Sequence, residues 1–257
     1  AISFVLDQGD DTAIASGPFD SHSVSISSDA LGTLKFHGEG GDNAQSAVGD
    51  TAAGNIWDNF DTRVTGAATL SESQSGNNIM HYTLPSLVDD LTVAVSYTPA
   101  TGEDESDSAY ALTYAGVEGL SVSYGHGSND GQSVGAGGTA ANADTTSMKA
   151  TYAIGSFTLA YSDHDHDSTT DTSDQTATSW KVSYTVSDEL SVTYGTDSLN
   201  NNATADTSDA EYTKITAAYT SGGMTVSANY QEANEMSYTT ATNEDEEYYG
   251  LSLSFAF

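Results

Sequence analysis

Two runs of carboxylates are the densest concentrations of reactive groups in this chain: Asp163-His-Asp165-His-Asp167 and Glu244-Asp-Glu-Glu247. Calcium takes six to eight oxygen ligands. Carboxylates at such short spacing therefore make both runs candidate Ca2+ sites, with Asp163, Asp165 and Asp167 as the named ligands. His164 and His166 would add affinity for a transition metal. Neither run matches a defined calcium-loop motif, and a solvated acidic loop is the competing reading. A looser acidic set, Glu39, Asp42, Asp50, Asp58, Asp61 and Glu72, surrounds Arg63, the chain's one arginine. No catalytic constellation appears: there is no nucleophile elbow, no H-E-x-x-H and no phosphate-binding glycine loop. An enzyme is not expected.

The charge balance limits what these groups serve. The 257 residues carry 37 acids against 5 lysines and arginines, a net charge of −32. Nucleic acid is excluded as a partner, because binding it requires a basic surface. Cysteine is absent, which removes disulfides and thiolate metal sites. Apolar residues are 37% of the chain, and no run approaches the ~18 residues of a membrane helix. No apolar signal segment opens the chain. A disordered acidic chain would share this composition, but its residues would not alternate as these do.

The elements come from a repeat of roughly thirty residues. Leu91-Thr-Val-Ala-Val-Ser-Tyr97, Leu120-Ser-Val-Ser-Tyr124, Phe157-Thr-Leu-Ala-Tyr161, Leu190-Ser-Val-Thr-Tyr194 and Met224-Thr-Val-Ser-Ala-Asn-Tyr230 share one pattern. Large apolar residues alternate with small or hydroxylic ones, the period of a strand. A short turn precedes each segment, and before each turn lies a partner strand such as 110–114, 148–152, 180–184 or 215–219. Long acidic loops at 99–107, 128–144, 163–176, 198–209 and 232–246 separate the hairpins. This predicts fourteen strands, near 1–8, 22–29, 32–38, 77–84, 91–98, 107–115, 120–127, 144–153, 156–163, 177–185, 190–198, 209–220, 223–232 and 246–257.

Short turns at one end and long loops at the other describe an antiparallel up-and-down meander. Its Ser/Thr/Ala/Gly face suits a wet lumen, and its Leu/Val/Tyr face suits lipid. Closure into a barrel removes the edges that lipid would not tolerate. Tyr97, Tyr124, Tyr161, Tyr194 and Tyr230 fall at the loop-side end of the apolar stripe. Tyr114, Tyr152, Tyr184 and Tyr219 fall at the turn side, as interfacial girdles require. The fold class expected is therefore all-β, a single transmembrane β-barrel domain over 1–257. Alternation points Lys35, His37, His81, Lys149, Lys181 and Lys214 into the lumen. A lysine on the lipid face would cost about 2–4 kcal/mol at mid-bilayer, so any barrel would place them there.

The chain ends Tyr249-Gly-Leu-Ser-Leu-Ser-Phe-Ala-Phe257. This alternating strand with a terminal aromatic resembles the last strand of Gram-negative outer-membrane diffusion porins. The segment from Tyr82-Thr-Leu-Pro85 to Val93 looks like the turn after that family's inward-folded loop, in porins of alphaproteobacterial type. The resemblance implies an outer-membrane location and a water-filled pore passing small hydrophilic solutes and ions. It implies a homotrimer surrounded by lipid and lipopolysaccharide, with Phe257 as the signal to the barrel assembly machinery. It makes 39–76 the constriction loop. In the family that loop follows the fifth strand; here it follows the third, so sixteen strands are expected in all, two lying upstream. The family sets acidic loop residues against a basic wall across the lumen. Here the acids (Glu39, Asp42, Asp50, Asp58, Asp61, Glu72) are plentiful and the basic groups (Lys35, His37, Arg63, His81) few. That departure favours cations. The alternatives are a non-channel barrel presenting acidic loops, as an adhesin or receptor scaffold, and more weakly a soluble acidic β-protein.

Overall fold

A computed structural model describes residues 1–7, 21–60, 77–100, 106–129, 142–169, 174–201, 208–236, 238 and 245–256. Among them are fourteen strands in one antiparallel sheet, hydrogen-bonded in sequence order. The strands are β1 (Ile2–Asp7), β2 (Ser21–Ser28), β3 (Gly32–Glu39), β4 (Ile79–Thr83), β5 (Leu91–Thr98), β6 (Asp107–Val117) and β7 (Leu120–Asn129). After them come β8 (Ala143–Ile154), β9 (Phe157–Ser168), β10 (Gln175–Thr185), β11 (Leu190–Asn201), β12 (Ala210–Ser221), β13 (Met224–Asn234) and β14 (Glu246–Phe255). All fourteen expected strands are present, and among the described residues no helix is long and apolar enough to cross a membrane.

The hairpin turns follow from residues that tolerate a left-handed backbone. Gly119 sits at φ +76°, where a β-carbon would run into the Ala153 carbonyl oxygen. Asp90 adopts φ 61° before β5, a conformation that aspartate accepts better than most residues.

Several strands run further than their apolar stripes suggested. The segment expected to open a loop at Asp163 stays extended to Ser168, and β11 reaches Asn201. Alternation persists there: Ser162, His164, His166 and Ser168 are buried, while Asp165 and Asp167 are exposed. Polar residues hold a strand as well as apolar ones when one of its faces is covered.

The chain divides into two compact units. The first is Ala1–Gly49, Glu72–Gly116 and Ser123–Ser147; the second is Asp50–Ser71, Val117–Val122 and Met148–Phe257. In both, one sheet face is apolar and open. Val95 and Tyr97 show it in the first unit; Leu159, Tyr161, Ile215 and Leu253 show it in the second. We call this the outer face. Leu91 and Val93 are half-buried on it.

The inner face is the covered one. In the second unit it carries a hydrophobic cluster of Ile56, Trp57, Phe60, Ala177, Leu199, Ala210, Tyr212, Ala233, Met236 and Tyr238. A uniformly wet inner face was the expectation. This part of it is instead dry and packed, because the segment after β3 lies against it.

Candidate functional site

The site is the segment from Gly40 to Phe60 and the wall that holds it. Its backbone is shaped by its own polar side chains. Asn43 Oδ1 accepts from Ser46 N at 3.1 Å, starting a 3-10 turn over Ala44–Val48. Thr51 Oγ1 accepts from Asn55 N at 2.9 Å, and Asn55 Oδ1 accepts from Thr51 N at 3.0 Å. This reciprocal pair closes a tight bend with Asn55 at φ 47°. A second 3-10 turn, Ile56–Asn59, follows.

Inner-face side chains then receive the loop strand by strand. In the first unit, Ala44 N donates to Ser96 Oγ at 2.9 Å. Gln45 is wholly buried; its Nε2 donates to Ser147 Oγ at 3.0 Å and its Oε1 accepts from Thr145 Oγ1 at 2.6 Å. Gly125 leaves room for it, since a β-carbon there would lie 3.0 Å from Gln45 Cγ.

In the second unit, one cross-strand row does most of the holding. Ser162, Ser179, Asp197, Tyr212 and Ala233 are successive partners on β9 to β13. Ala52 N donates to Ser162 Oγ at 2.8 Å, Ala53 N to Ser179 Oγ at 2.9 Å, and Ile56 N to Asp197 Oδ2 at 2.7 Å. The Trp57 and Phe60 rings then pack on Tyr212, with centroids 6.3 and 5.8 Å apart. The next row toward the turns reads Ala160, Lys181, Gly195, Lys214 and Gln231. Gly195 sits under Ala53, where a β-carbon would come within 2.9 Å. Gln231 Oε1 accepts from Asn59 Nδ2 at 3.0 Å.

The cations fall into two groups on this inner face. Lys35 and His81 are cross-strand partners, with the buried His37 two residues along β3. His81 Nδ1 lies 3.2 Å from the Asp42 carbonyl oxygen. In the second unit Lys149 Nζ donates to the carbonyl oxygens of Asp50 at 3.2 Å and Thr51 at 3.1 Å. Lys149 is thus tied to loop backbone. Lys181 and Lys214 flank Gly195 across the strands.

Of the acidic loop residues, Asp42, Asp50 and Asp58 are exposed, and Glu39 is half-exposed at the end of β3. Asp61, Arg63, Glu72 and Phe257 lie outside the described residues. The candidate metal ligands Asp163, Asp165 and Asp167 alternate along β9 and share its outer side. They step by about 6.6–6.8 Å per two residues, while His164 and His166 point the other way. Among the described residues no group of three metal-ligating side chains comes together.

Residue-type motifs missed the wall: Ser96, Ser147, Ser162, Ser179, Asp197 and Gln231. One signal was available. Ser96 precedes Tyr97, Ser162 follows Tyr161, Ser179 precedes Trp180, and Gln231 follows Tyr230. The girdle aromatic on the outer side therefore marks the level of the loop on the inner side.

In each unit the segment is hydrogen-bonded to the strands beneath it, and Asp42 in the first unit and Asp50 and Asp58 in the second are exposed on it. The family model described as Gram-negative porin matches residues 1–257. Among solved structures, an anion-selective porin from Comamonas acidovorans aligns at 16% identity and TM-score 0.61, over 90% of this chain and 73% of that one. OmpT of Vibrio cholerae, in its trimer form, aligns at 16% identity and TM-score 0.57, over 99% and 84%. A triple mutant of the Rhodopseudomonas blastica porin aligns at 13% identity and TM-score 0.56, over 100% and 88%. No curated protein matches in sequence.

Proposed function

The chain belongs to the Gram-negative porin family, an outer-membrane channel family, and on that premise we propose that its pore prefers cations. The supporting observation is the charge at the loop. Asp42, Asp50 and Asp58 are exposed on it, and Lys149 is bound to loop carbonyls. Carboxylates beside a low-dielectric wall set up a negative potential that draws in cations and small cationic solutes. The solved porins share the fold at low identity, and one of them is anion-selective. Selectivity in this fold therefore has to come from the particular charges mounted on it.

The test is the reversal potential across a planar bilayer under a salt gradient. A potential of cationic sign is expected, shrinking as ionic strength rises and the Debye length falls below ~8 Å. The triple change Asp42→Asn, Asp50→Asn and Asp58→Asn should bring it toward zero. An anionic sign from the unaltered protein would overturn the proposal.

A homotrimer is the assembly we propose, by extension from the trimer form of Vibrio cholerae OmpT. Crosslinking of the protein in native outer membranes would check it. Recognition of Phe257 by the assembly machinery is proposed from the terminal strand. Phe257→Asp should then lower barrel yield in the outer membrane without altering secretion across the inner one.

A further inference from the structure

Below the loop, the inner face of the second unit changes character. Lys181 on β10 and Lys214 on β12 share one cross-strand row, with Gly195 of β11 between them. Two strand spacings, about 9.5 Å, separate their backbones. In the next inner row toward the turns, Ser183 pairs with Thr193 and Thr193 with Thr216. From the lysine row to the turns, the inner positions of β9 to β14 hold no carboxylate, in a chain with 37 acids. Both lysines are half-buried. Lys149 is bound to loop carbonyls, but among the described residues neither Lys181 nor Lys214 has a hydrogen-bond partner.

We propose that Lys181 and Lys214, with the hydroxyls of Ser183, Thr193 and Thr216, bind a small doubly charged oxyanion such as phosphate or sulfate. A half-buried ammonium group without a counter-ion is costly, and two of them facing one gap favour an anion shared between them. Each lysine carries its charge on a flexible four-carbon stem, so both reach an oxyanion seated over Thr193. The hydroxyls donate to its remaining oxygens, in charge-assisted bonds. Access is from the turn side. Ala53 of the loop closes the gap directly over Gly195, where a β-carbon would come within 2.9 Å of it. Ser183, Thr193 and Thr216 keep part of their surface exposed.

The local charge balance is positive. Lys149 adds a third cation within electrostatic reach of Lys181. Against the three stands Asp197, one row toward the loops, whose carboxylate already accepts from the Ile56 amide. Coulomb attraction scales with the ligand's charge, so a dianion gains about twice what a monovalent anion does. The resemblance to porins implied a basic wall facing the loop across the lumen. These lysines stand instead on the strands that hold the loop, one row below it.

The test titrates phosphate, at mildly alkaline pH, into the refolded full chain in detergent micelles, with sodium chloride held constant and calorimetry as the readout. It is made in solution, so it stands or falls separately from the sign of the reversal potential. Saturable binding of phosphate is expected, with sulfate competing and nitrate not. Lys181→Met and Lys214→Met should each weaken it about tenfold, as expected for one lost charge-assisted hydrogen bond. Lys181→Arg, which keeps the charge, should stay within about threefold of the unaltered chain. Thr216→Val should weaken it about threefold. Heat-modifiable gel mobility identifies the variants that fold. No saturable heat from the unaltered chain, equal displacement by nitrate, or unchanged affinity in a folded methionine variant would overturn the proposal. If neither methionine variant folds, Thr216→Val decides alone, and an unchanged affinity overturns it.

Discussion

β10, β11 and β12 present two unlike faces. Inside, Ser179, Asp197 and Tyr212 are each no more than 1% exposed, beneath the loop. Outside, one residue along each strand, Trp180, Thr196 and Thr213 border an open notch. Both rows mix small polar and aromatic residues, so composition does not separate them. What separates them is cover: loop backbone with its amides lies over the inner row, and the outer row is open. A hydroxyl beside an amide hydrogen-bonds it and fixes a loop.

The comparison breaks most severely if the inner aromatic anchor is removed. Tyr212→Ala should cost about 3–5 kcal/mol, as large-to-small core changes do. Urea unfolding of the refolded barrel would measure it, and Trp57 emission should shift to the red. A cost under ~1 kcal/mol would mean that the inner cluster is not a packed core.

A charge tests the outer face against the inner one at adjacent positions. Val192→Lys, on the apolar band, should cost about 2–4 kcal/mol. Thr193→Lys, on the inner side, gives up the hydroxyl contact with Ser183 at 2.9 Å and should cost about 0.5–1.5 kcal/mol. Equal costs would contradict the assignment of faces.

Asp197→Ala removes the acceptor of the buried Ile56 amide. About 1.5–3 kcal/mol should be lost, the range for hydrogen bonds to charged groups. The loss belongs to the loop, so the barrel should keep its heat-modifiable gel mobility while single-channel current becomes noisier. The smallest effect is Ser162→Ala, which leaves the Ala52 amide unpaired at a cost of about 1 kcal/mol. Hydrogen exchange at Ala52 should quicken, with conductance nearly unchanged.

Much of this was legible in the chain. The period-two alternation and the thirty-residue repeat located all fourteen strands, because side chains on a strand must alternate between its faces. Tight turns declared themselves through Gly119 and Asp90. The segment after β3 stood out by its length and its carboxylates. The path of that segment was not legible. Ser162, Ser179 and Asp197 read as lumen lining, since a strand's sequence specifies which side a residue faces and not what it meets there. The acidic run at Asp163–Asp167 read as loop for a related reason: nothing local shows that His164 and His166 are buried on the inner face.

Sequence alone thus determined the strand count, the two faces and the excess of negative charge. Each of these depends on local periodicity or on composition. The tertiary structure decided which inner hydroxyls bind the loop, which lysine is tied to its carbonyls and which carboxylates remain exposed. It also placed the notch beside Trp180. These depend on cross-strand register and on a segment folding back more than a hundred residues, from Ala52 to Ser162, and contacts at that separation leave no periodic trace in the chain.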